Sequence, residues 1–260
     1  MSLVLPNSRQ LREPNLLVPR MKPRGPVKWD GCPMSTCVLF SDNNFSGTSG
    51  LVNARVILNK NSYVPVPITF SRDQDNGTGY HPDGVYFDGS GTPATSNDSY
   101  ITLSPSYNGV RSYLVIVATL NLIVGFQQDT CEFFYHDSYN RIRFLSTTSI
   151  GFNIGNRNST VVIPNCTTMT GRKTFVFLCE QLGSVRNSYV WIDGAEYSLL
   201  GTTKDTSGSL TGTDRFLQDA RETGGYVLES WFSHYDSSAP IPLETLRSLS
   251  QDPYQFLVPA

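Results

Sequence analysis

Two stretches of the sequence, TFVFLCEQL at residues 174–182 and SYVWIDG at residues 188–194, decide the fold class. Both are short and rich in β-branched and aromatic residues, as β-strands are. TFVFLCEQL is apolar at successive positions, which fits either a strand covered on both faces or a buried helix. The abundance of β-branched and aromatic residues favours the strand.

The same composition recurs in further runs along the chain, which alternate with polar, glycine-rich loop sequences. These runs cover residues 85–91, 112–124, 131–137, 141–146, 160–164 and 225–235. Because the strands are not interleaved with helices, the pattern predicts an all-β protein built as an antiparallel sandwich or jelly roll.

One helix is predicted near the C-terminus. Pro242 suits a first helical position, Leu243, Leu246 and Leu249 recur every three residues, and Pro253 ends the segment. We expect a short helix that docks through its leucines. The tail that follows, YQFLVPA at residues 254–260, is apolar enough that we expect it to pack against the sheet or a partner.

The first 28 residues have a different character. Prolines at irregular short intervals forbid a helix there and favour an extended conformation. Glu13 is the single acidic residue in this segment. The basic residues are Arg9, Arg12, Arg20, Lys22, Arg24 and Lys28, and the prolines are Pro6, Pro14, Pro19, Pro23 and Pro26. We therefore predict an extended basic arm at 1–31 and a β domain at 32–260.

Composition excludes some functions. The net charge of −2 argues against nucleic acid or an anionic membrane as a partner of the β domain. Apolar runs fall short of the roughly 20 residues that a membrane-spanning helix needs. The charged, proline-broken start does not resemble a secretion signal, so we expect synthesis in a cytoplasm.

The sequence names no metal or cofactor site. Cys32 and Cys37 could supply two zinc ligands, but no second close pair completes a site, and free thiols are the favoured interpretation. The histidines, His81, His136 and His234, lie far apart in sequence and fit turns and strand ends better than ligand sets. Aspartates of a type that calcium would accept are Asp73, Asp75, Asp83, Asp88 and Asp98, and a solvated loop explains them equally well.

Catalysis is not expected. A glycosidase on a sandwich strand needs two carboxylates at alternate positions. None of the glutamates has a second carboxylate two or four residues away; they are Glu13, Glu132, Glu180, Glu196, Glu222, Glu229 and Glu244. Carbohydrate binding by loop aromatics such as Tyr107 and Tyr139 stays open, although most aromatic side chains alternate along strands and should face the core.

Three motifs in order carry a resemblance to a known family. They are GVYFDGSGTPATSNDSYITLSP at 84–105, YVWIDGAEYS at 189–198 and LETLRSLSQDPYQFLVP at 243–259. Their order resembles laminin-G-like, concanavalin A-like jelly rolls found in bacterial and phage proteins. The resemblance implies a concanavalin A-like (laminin-G-like) jelly-roll sandwich with an extended N-terminal arm and one short C-terminal helix.

The arm also resembles the start of phage structural proteins of this kind. The matching residues are EPNLLVPRMKPRGPVKWD at 13–30. The resemblance implies a structural component of a tailed-phage virion: a capsid decoration or head-fibre protein, or alternatively a tail-associated fibre whose jelly roll binds host-surface carbohydrate. Its expected partners are other virion proteins, namely the major capsid protein or tail and portal components, and further copies of itself.

Apolar residues embedded among the basic ones suggest an arm that becomes ordered on contact with a partner rather than a purely solvated tail. We predict that it docks through Pro14, Asn15, Leu16, Leu17, Pro19, Arg20, Lys22, Pro23, Arg24, Pro26 and Val27.

Overall fold

The computed structural model describes residues 27–39, 51–52, 55–58, 62–63, 68–71, 79–81, 84–87, 100–102, 113–122, 132–137, 140–146, 148–154, 158–203, 215–218 and 226–259. Strands dominate them. In the first half of the chain they are β1 Val27–Trp29, β2 Thr36–Leu39, β3 Leu51–Val52, β4 Arg55–Leu58, β5 Ser62–Tyr63, β6 Ile68–Ser71, β7 Gly79–His81, β8 Gly84–Phe87, β9 Tyr100–Thr102 and β10 Tyr113–Leu122.

The second half contains β11 Glu132–Asp137, β12 Asn140–Ser146, β13 Ser149–Ile154, β14 Asn158–Val162, β15 Gly171–Leu182, β16 Val185–Ile192, β17 Ala195–Thr203, β18 Arg215–Gln218, β19 Tyr226–His234 and β20 Leu257–Pro259. A 3₁₀ turn covers Cys166–Thr168, and the helix α1 covers Leu243–Gln251. Each of the eight strand runs predicted from the sequence overlaps an observed strand.

The strands form two large antiparallel sheets. In the ten-stranded sheet the order is β17-β16-β15-β10-β19-β2-β4-β5, with β8 also paired to β19 and β7 paired to β8. In the eight-stranded sheet the order is β14-β13-β12-β11-β18-β9-β6-β3. Strands adjacent in sequence are often not adjacent in a sheet, as expected of a jelly roll. The predicted all-β jelly-roll sandwich is confirmed.

The main core lies between the two sheets. Phe177 of β15 packs on Phe133 of β11 with ring centroids 4.8 Å apart, and Phe152 of β13 contacts the same ring of Phe177 at 6.1 Å. Ile116 of β10 and Trp231 of β19 are fully buried in the same cluster. Aromatic pairs at these distances add to the burial energy of their apolar surface.

The opposite face of the ten-stranded sheet, called here the outer face, carries a second core. It is formed by Val117 of β10, Val176 and Leu178 of β15, and Trp191 of β16, and it is covered by α1, the C-terminal tail and residues 32–34. Strands β10 and β15 are thus covered on both faces, which confirms the interpretation of their continuous apolar sequence. The tail packs as predicted, since Tyr254 and Leu257 are buried.

The helix differs from the prediction in two details. Pro242 is the N-cap residue, immediately before the helix, and does not belong to its first turn. Leu246 and Leu249 are fully buried, but Leu243 is 42% exposed. A three-residue step falls about 60° short of a full helical turn, so three leucines at this spacing spread over about 120° and the first turns toward solvent.

Helix α1 is joined to the ten-stranded sheet at the β16–β17 turn. Asp193 and Gly194 both have positive φ, at 49° and 87°, as a tight two-residue hairpin turn requires. Gly194 donates its N–H to Ser250 Oγ at 2.8 Å, and Arg247 Nε donates to the Gly194 carbonyl at 3.3 Å. A Cβ at position 194 would overlap the side chain of Gln251, so glycine permits this close approach.

Candidate functional site

Most of the predicted docking residues of the arm lie outside the described residues: Pro14, Asn15, Leu16, Leu17, Pro19, Arg20, Lys22, Pro23, Arg24 and Pro26. Val27 is described and belongs to β1, where it pairs with Pro259 of β20. The ladder continues to Trp29 opposite Leu257, and Asp30 then donates its N–H to the Phe256 carbonyl at 2.9 Å. The C-terminal end of the arm is therefore joined to the tail of the same chain.

The residues considered for calcium binding and for sugar stacking lie outside the described residues. They are the five aspartates and the loop aromatics Tyr107 and Tyr139. Within the described ranges, no group of three or more His, Cys, Asp or Glu side chains could hold a metal ion. Nor does that part of the chain include a helix with the length and apolarity to cross a membrane.

Hydrogen bonds and burial indicate structural roles for His234, Cys32 and Cys37. In the tautomer that carries its proton on Nε2, His234 donates to the Ala239 carbonyl at 2.9 Å. Its Nδ1 then accepts a hydrogen bond from Ser35 Oγ at 2.6 Å. Cys32 and Cys37 are free thiols with their sulfurs 3.7 Å apart. Burial, followed by the hydrogen bond to Cys32, raises the pKa of Cys37 well above its ordinary value, so this thiol is a weak nucleophile.

The most chemically suggestive cluster lies deep beneath the tail. Arg172 forms an ion pair with Glu229 at 2.8 Å and stacks over the ring of Tyr254 at 5.4 Å. Tyr254 donates to Ser230 Oγ at 3.2 Å and lies 3.4 Å from Glu229. Glu229 is the extra residue of a β-bulge in β19, opposite the step from Thr119 to Leu120 of the neighbouring strand β10.

An arginine, a tyrosine and a carboxylate in contact could serve catalysis if a substrate reached them. Tyr254 is fully buried and Glu229 is 4% exposed. Burial and the nearby Glu229 carboxylate raise the pKa of Tyr254, which keeps its hydroxyl protonated. This cluster is therefore a buried structural network.

A second polar group lies at the surface, on the outer face of β15, β16 and β17. We call it the Tyr189 patch; it consists of Glu180, Asn187, Tyr189, Glu196 and Ser198. Its side chains share one face because strand residues alternate and because Glu180 is opposite Asn187, Tyr189 opposite Ser198, and Trp191 opposite Glu196. None of these residues was singled out from the sequence as a binding residue.

Hydrogen bonds hold the patch in place. Asn187 Nδ2 donates to Glu180 Oε1 at 3.2 Å, and Asn187 Oδ1 accepts from the Gly201 N–H at 3.0 Å. Trp191 Nε1 donates to Glu196 Oε2 at 3.0 Å. The ring of Tyr189 stacks on Trp191 at 5.3 Å with an interplanar angle of 7°. These side chains are therefore oriented before any ligand arrives.

Both carboxylates of the patch influence the pKa of Tyr189. Burial raises the pKa of Tyr189, and Glu180 and Glu196 raise it further. Both carboxylates bond to side chains of β16, at positions 187 and 191, which are four residues or roughly 13 Å apart. The two carboxylates are therefore held at different points along β16.

Exposed apolar side chains surround the patch. Leu182 and Val185, which close the β15–β16 turn, are 56% and 37% exposed, and Leu200 of β17 is 57% exposed. Anchored hydrogen-bonding groups beside exposed aliphatic side chains can contact both the hydroxyl and the C–H surfaces of a sugar.

Comparisons with known proteins bear on the fold. No family model and no curated protein sequence matches the chain. Among solved structures, the chain is similar to the binding domain of botulinum neurotoxin DC in complex with SialylT, at a TM-score of 0.54 and 9% identity over 84% of this chain and 51% of that one. The same domain in complex with rat synaptotagmin II gives a TM-score of 0.53 and 8% identity over 83% and 51%.

A third similar structure is Trypanosoma rangeli sialidase in complex with the inhibitor DANA. Its TM-score is 0.50 and its identity 12%, over 86% of this chain and 33% of that one. The likeness establishes the fold. The chain spans about half the length of the toxin binding domains and a third of the sialidase.

Proposed function

We propose that this protein is a non-enzymatic carbohydrate-binding β-sandwich that its N-terminal arm attaches to a larger assembly. The observation that carries the proposal is the fold shared with toxin binding domains, one of which was solved in complex with SialylT, over 84% of this chain. The Tyr189 patch supports it with a surface on which anchored carboxylate and amide groups lie beside exposed leucines.

The test is a glycan array probed with the full chain. Selective binding to a few related glycans, inhibited by the same glycan in solution, is the expected result. Multivalent presentation of the protein is needed, because single sugar contacts are weak and repeated copies multiply them. The absence of selective binding in this multivalent format would refute the proposed function.

A second candidate is a virion decoration or head-fibre protein, made in the host cytoplasm and attached by its arm to capsid or tail subunits. Two observations favour it: the basic, proline-rich composition of the arm, and the β1–β20 pairing, which joins the end of the arm to the body. Prolines reduce the conformational entropy that an arm loses when it docks. This candidate is compatible with sugar binding by the body.

Co-sedimentation with particles that lack the protein tests the attachment. The full chain should sediment and saturate at a fixed copy number, whereas a chain lacking residues 1–26 should stay in the supernatant. Equal sedimentation of both chains would show that the arm is not the anchor.

A further inference from the structure

The Tyr189 patch has two carboxylates that neutral groups hold in place. Asn187 occupies one oxygen of Glu180, and the Trp191 indole occupies one oxygen of Glu196. Within the described residues, the other oxygen of each carboxylate has no hydrogen-bond donor. Each carboxylate is thus an oriented acceptor with capacity left for a ligand, and a charged acceptor forms hydrogen bonds about twice as strong as a neutral one.

Tyr189 lies on β16 between Asn187 and Trp191, the two residues that hold these acceptors. Tyr189 is only 8% exposed, and its ring is fixed by stacking on Trp191. Its hydroxyl has no hydrogen-bond partner among the described residues. A hydroxyl held in this position can donate to or accept from a ligand that spans the two carboxylates.

The charge of the patch restricts the ligand. The basic side chains of β15, β16 and β17 are engaged elsewhere: Arg172 with Glu229 at 2.8 Å, Lys173 with Asp193 at 2.7 Å, and Arg186 buried with no exposed surface. Arg247 of α1 is held at the β16–β17 turn by its hydrogen bond to the Gly194 carbonyl at 3.3 Å. An anionic ligand would therefore meet two carboxylates without a cation from the three strands themselves, and like charges at close range repel.

We propose that the Tyr189 patch binds an uncharged glycan of at least two sugar units through adjacent hydroxyl groups, and that it rejects sialylated glycans. The inference rests on the proposed function and deepens it by naming the site and the ligand class. Adjacent hydroxyls can both donate to the free oxygen of one carboxylate. The two β16 residues that hold the carboxylates, Asn187 and Trp191, are four strand positions or roughly 13 Å apart along the backbone, which exceeds the length of a single sugar ring.

The experiment compares matched glycans that differ only in a terminal sialic acid, together with four variants of the full chain. Glu180→Gln and Glu196→Gln keep the size of each side chain but remove its charge, and Glu244→Gln removes an exposed carboxylate in the first turn of α1 that is not one of the patch residues. Thermal unfolding of each variant checks that it is folded. A fourth variant, Tyr189→Phe, tests the hydroxyl while keeping the ring stacked on Trp191.

The expected result is binding of the uncharged glycan and loss of binding when sialic acid is added. Glu180→Gln and Glu196→Gln should each weaken binding at least about tenfold, since a charge-assisted hydrogen bond is lost, and Glu244→Gln should not. Preference for the sialylated glycan, or glycan binding that none of the patch variants alters, would overturn this inference while leaving the proposed function intact. No glycan binding at all would overturn both.

The main rival occupant is a basic peptide, and residues 11–28 of the chain provide one as a synthetic probe. Failure of this peptide to compete with the glycan supports the proposal. Tight binding of the peptide in place of any glycan, abolished by Glu180→Gln, would overturn it in favour of an arm-docking surface.

Discussion

At the scale of single residues, burial decides what a charged group contributes. Glu229 and Arg172 form an ion pair with side chains 6% and 13% exposed, whereas Lys173 and Asp193 form one that is 28% and 36% exposed. A buried pair is costly to break because its partner is left charged and poorly solvated. The two ion pairs, whose basic residues are neighbours in β15, should therefore contribute differently to the free energy of unfolding.

We expect Glu229→Ala to lower the free energy of unfolding by about 3 kcal/mol, because Arg172 would keep its charge without its carboxylate. Lys173→Ala is the matched control and should cost less than about 1 kcal/mol, since water already solvates that pair. Urea unfolding measures both. Equal effects of the two substitutions would show that burial does not set the energy of the Glu229 pair.

Buried thiols should make the protein sensitive to alkali. Burial raises the pKa of Cys179 from 9.0 to about 12 and that of Cys166 to about 11. The unfolded chain releases these protons at lower pH than the folded one, so the stability is fully present below pH 9 and is lost as pH rises toward the folded-state pKa.

We therefore expect the urea midpoint to fall between pH 9 and pH 11, and to fall less in Cys179→Val, which removes the titrating group from β15. Midpoints measured across this range check the prediction. Parallel pH profiles for the two proteins would contradict it.

At the scale of elements, α1 acts as the cover of the outer face. Leu246 and Leu249 pack on the second core, while the β16–β17 turn binds the C-terminal end of the helix through Gly194. The sheet beneath is apolar, with Val176, Leu178 and Trp191 buried there. Without α1, these side chains would face water.

We expect Leu246→Ala to destabilise the protein by about 3 kcal/mol, the usual result of truncating a fully buried leucine. Leu243→Ala, in the same helix but 42% exposed, should change stability by no more than about 0.5 kcal/mol. Thermal or urea unfolding distinguishes the two. A large effect at Leu243 would mean that this leucine is buried by a partner in solution.

At the scale of the whole molecule, the arm and the body are joined by β1. The sequence predicts a boundary after residue 31. Within the predicted arm, residues 27–29 pair with β20, and Asp30 donates its N–H to the Phe256 carbonyl. Leu257 of that tail belongs to the second core. Residues up to 26 and residues 27–31 should thus differ in their effect on the stability of the body.

Because the proline-rich sequence of residues 1–26 predicts an extended segment with no core of its own, removing it should leave the melting temperature unchanged. Removing residues 1–31 should lower the melting temperature by several degrees. The second deletion takes away the ladder that holds the tail against the sheet. Calorimetry on both chains makes the comparison. Equal melting temperatures would place the boundary at residue 31 and make β1 dispensable.

Local patterns in the sequence predicted the helix and eight strand runs, each of which overlaps an observed strand. Continuous apolar runs such as 174–182 identified strands covered on both sides, and the leucines near the C-terminus identified α1. These inferences succeed because burial and residue shape act within a few positions of the chain. Strand β17 is one of the strands that no predicted run covers; an exposed edge strand needs no apolar run, and its residues are mostly polar or exposed.

The functional arrangement depended on tertiary structure. On strict alternation Glu229 would share the face of Trp231, toward the main core, but the bulge beside Thr119 lets it reach Arg172 and Tyr254 on the outer face. The Tyr189 patch likewise draws its residues from three strands whose register sets which side chains meet. The sequence by itself determined an all-β chain with a basic arm and a docked helix. Which polar groups converge was decided by long-range pairing, because strand register and bulges are set by contacts between distant residues.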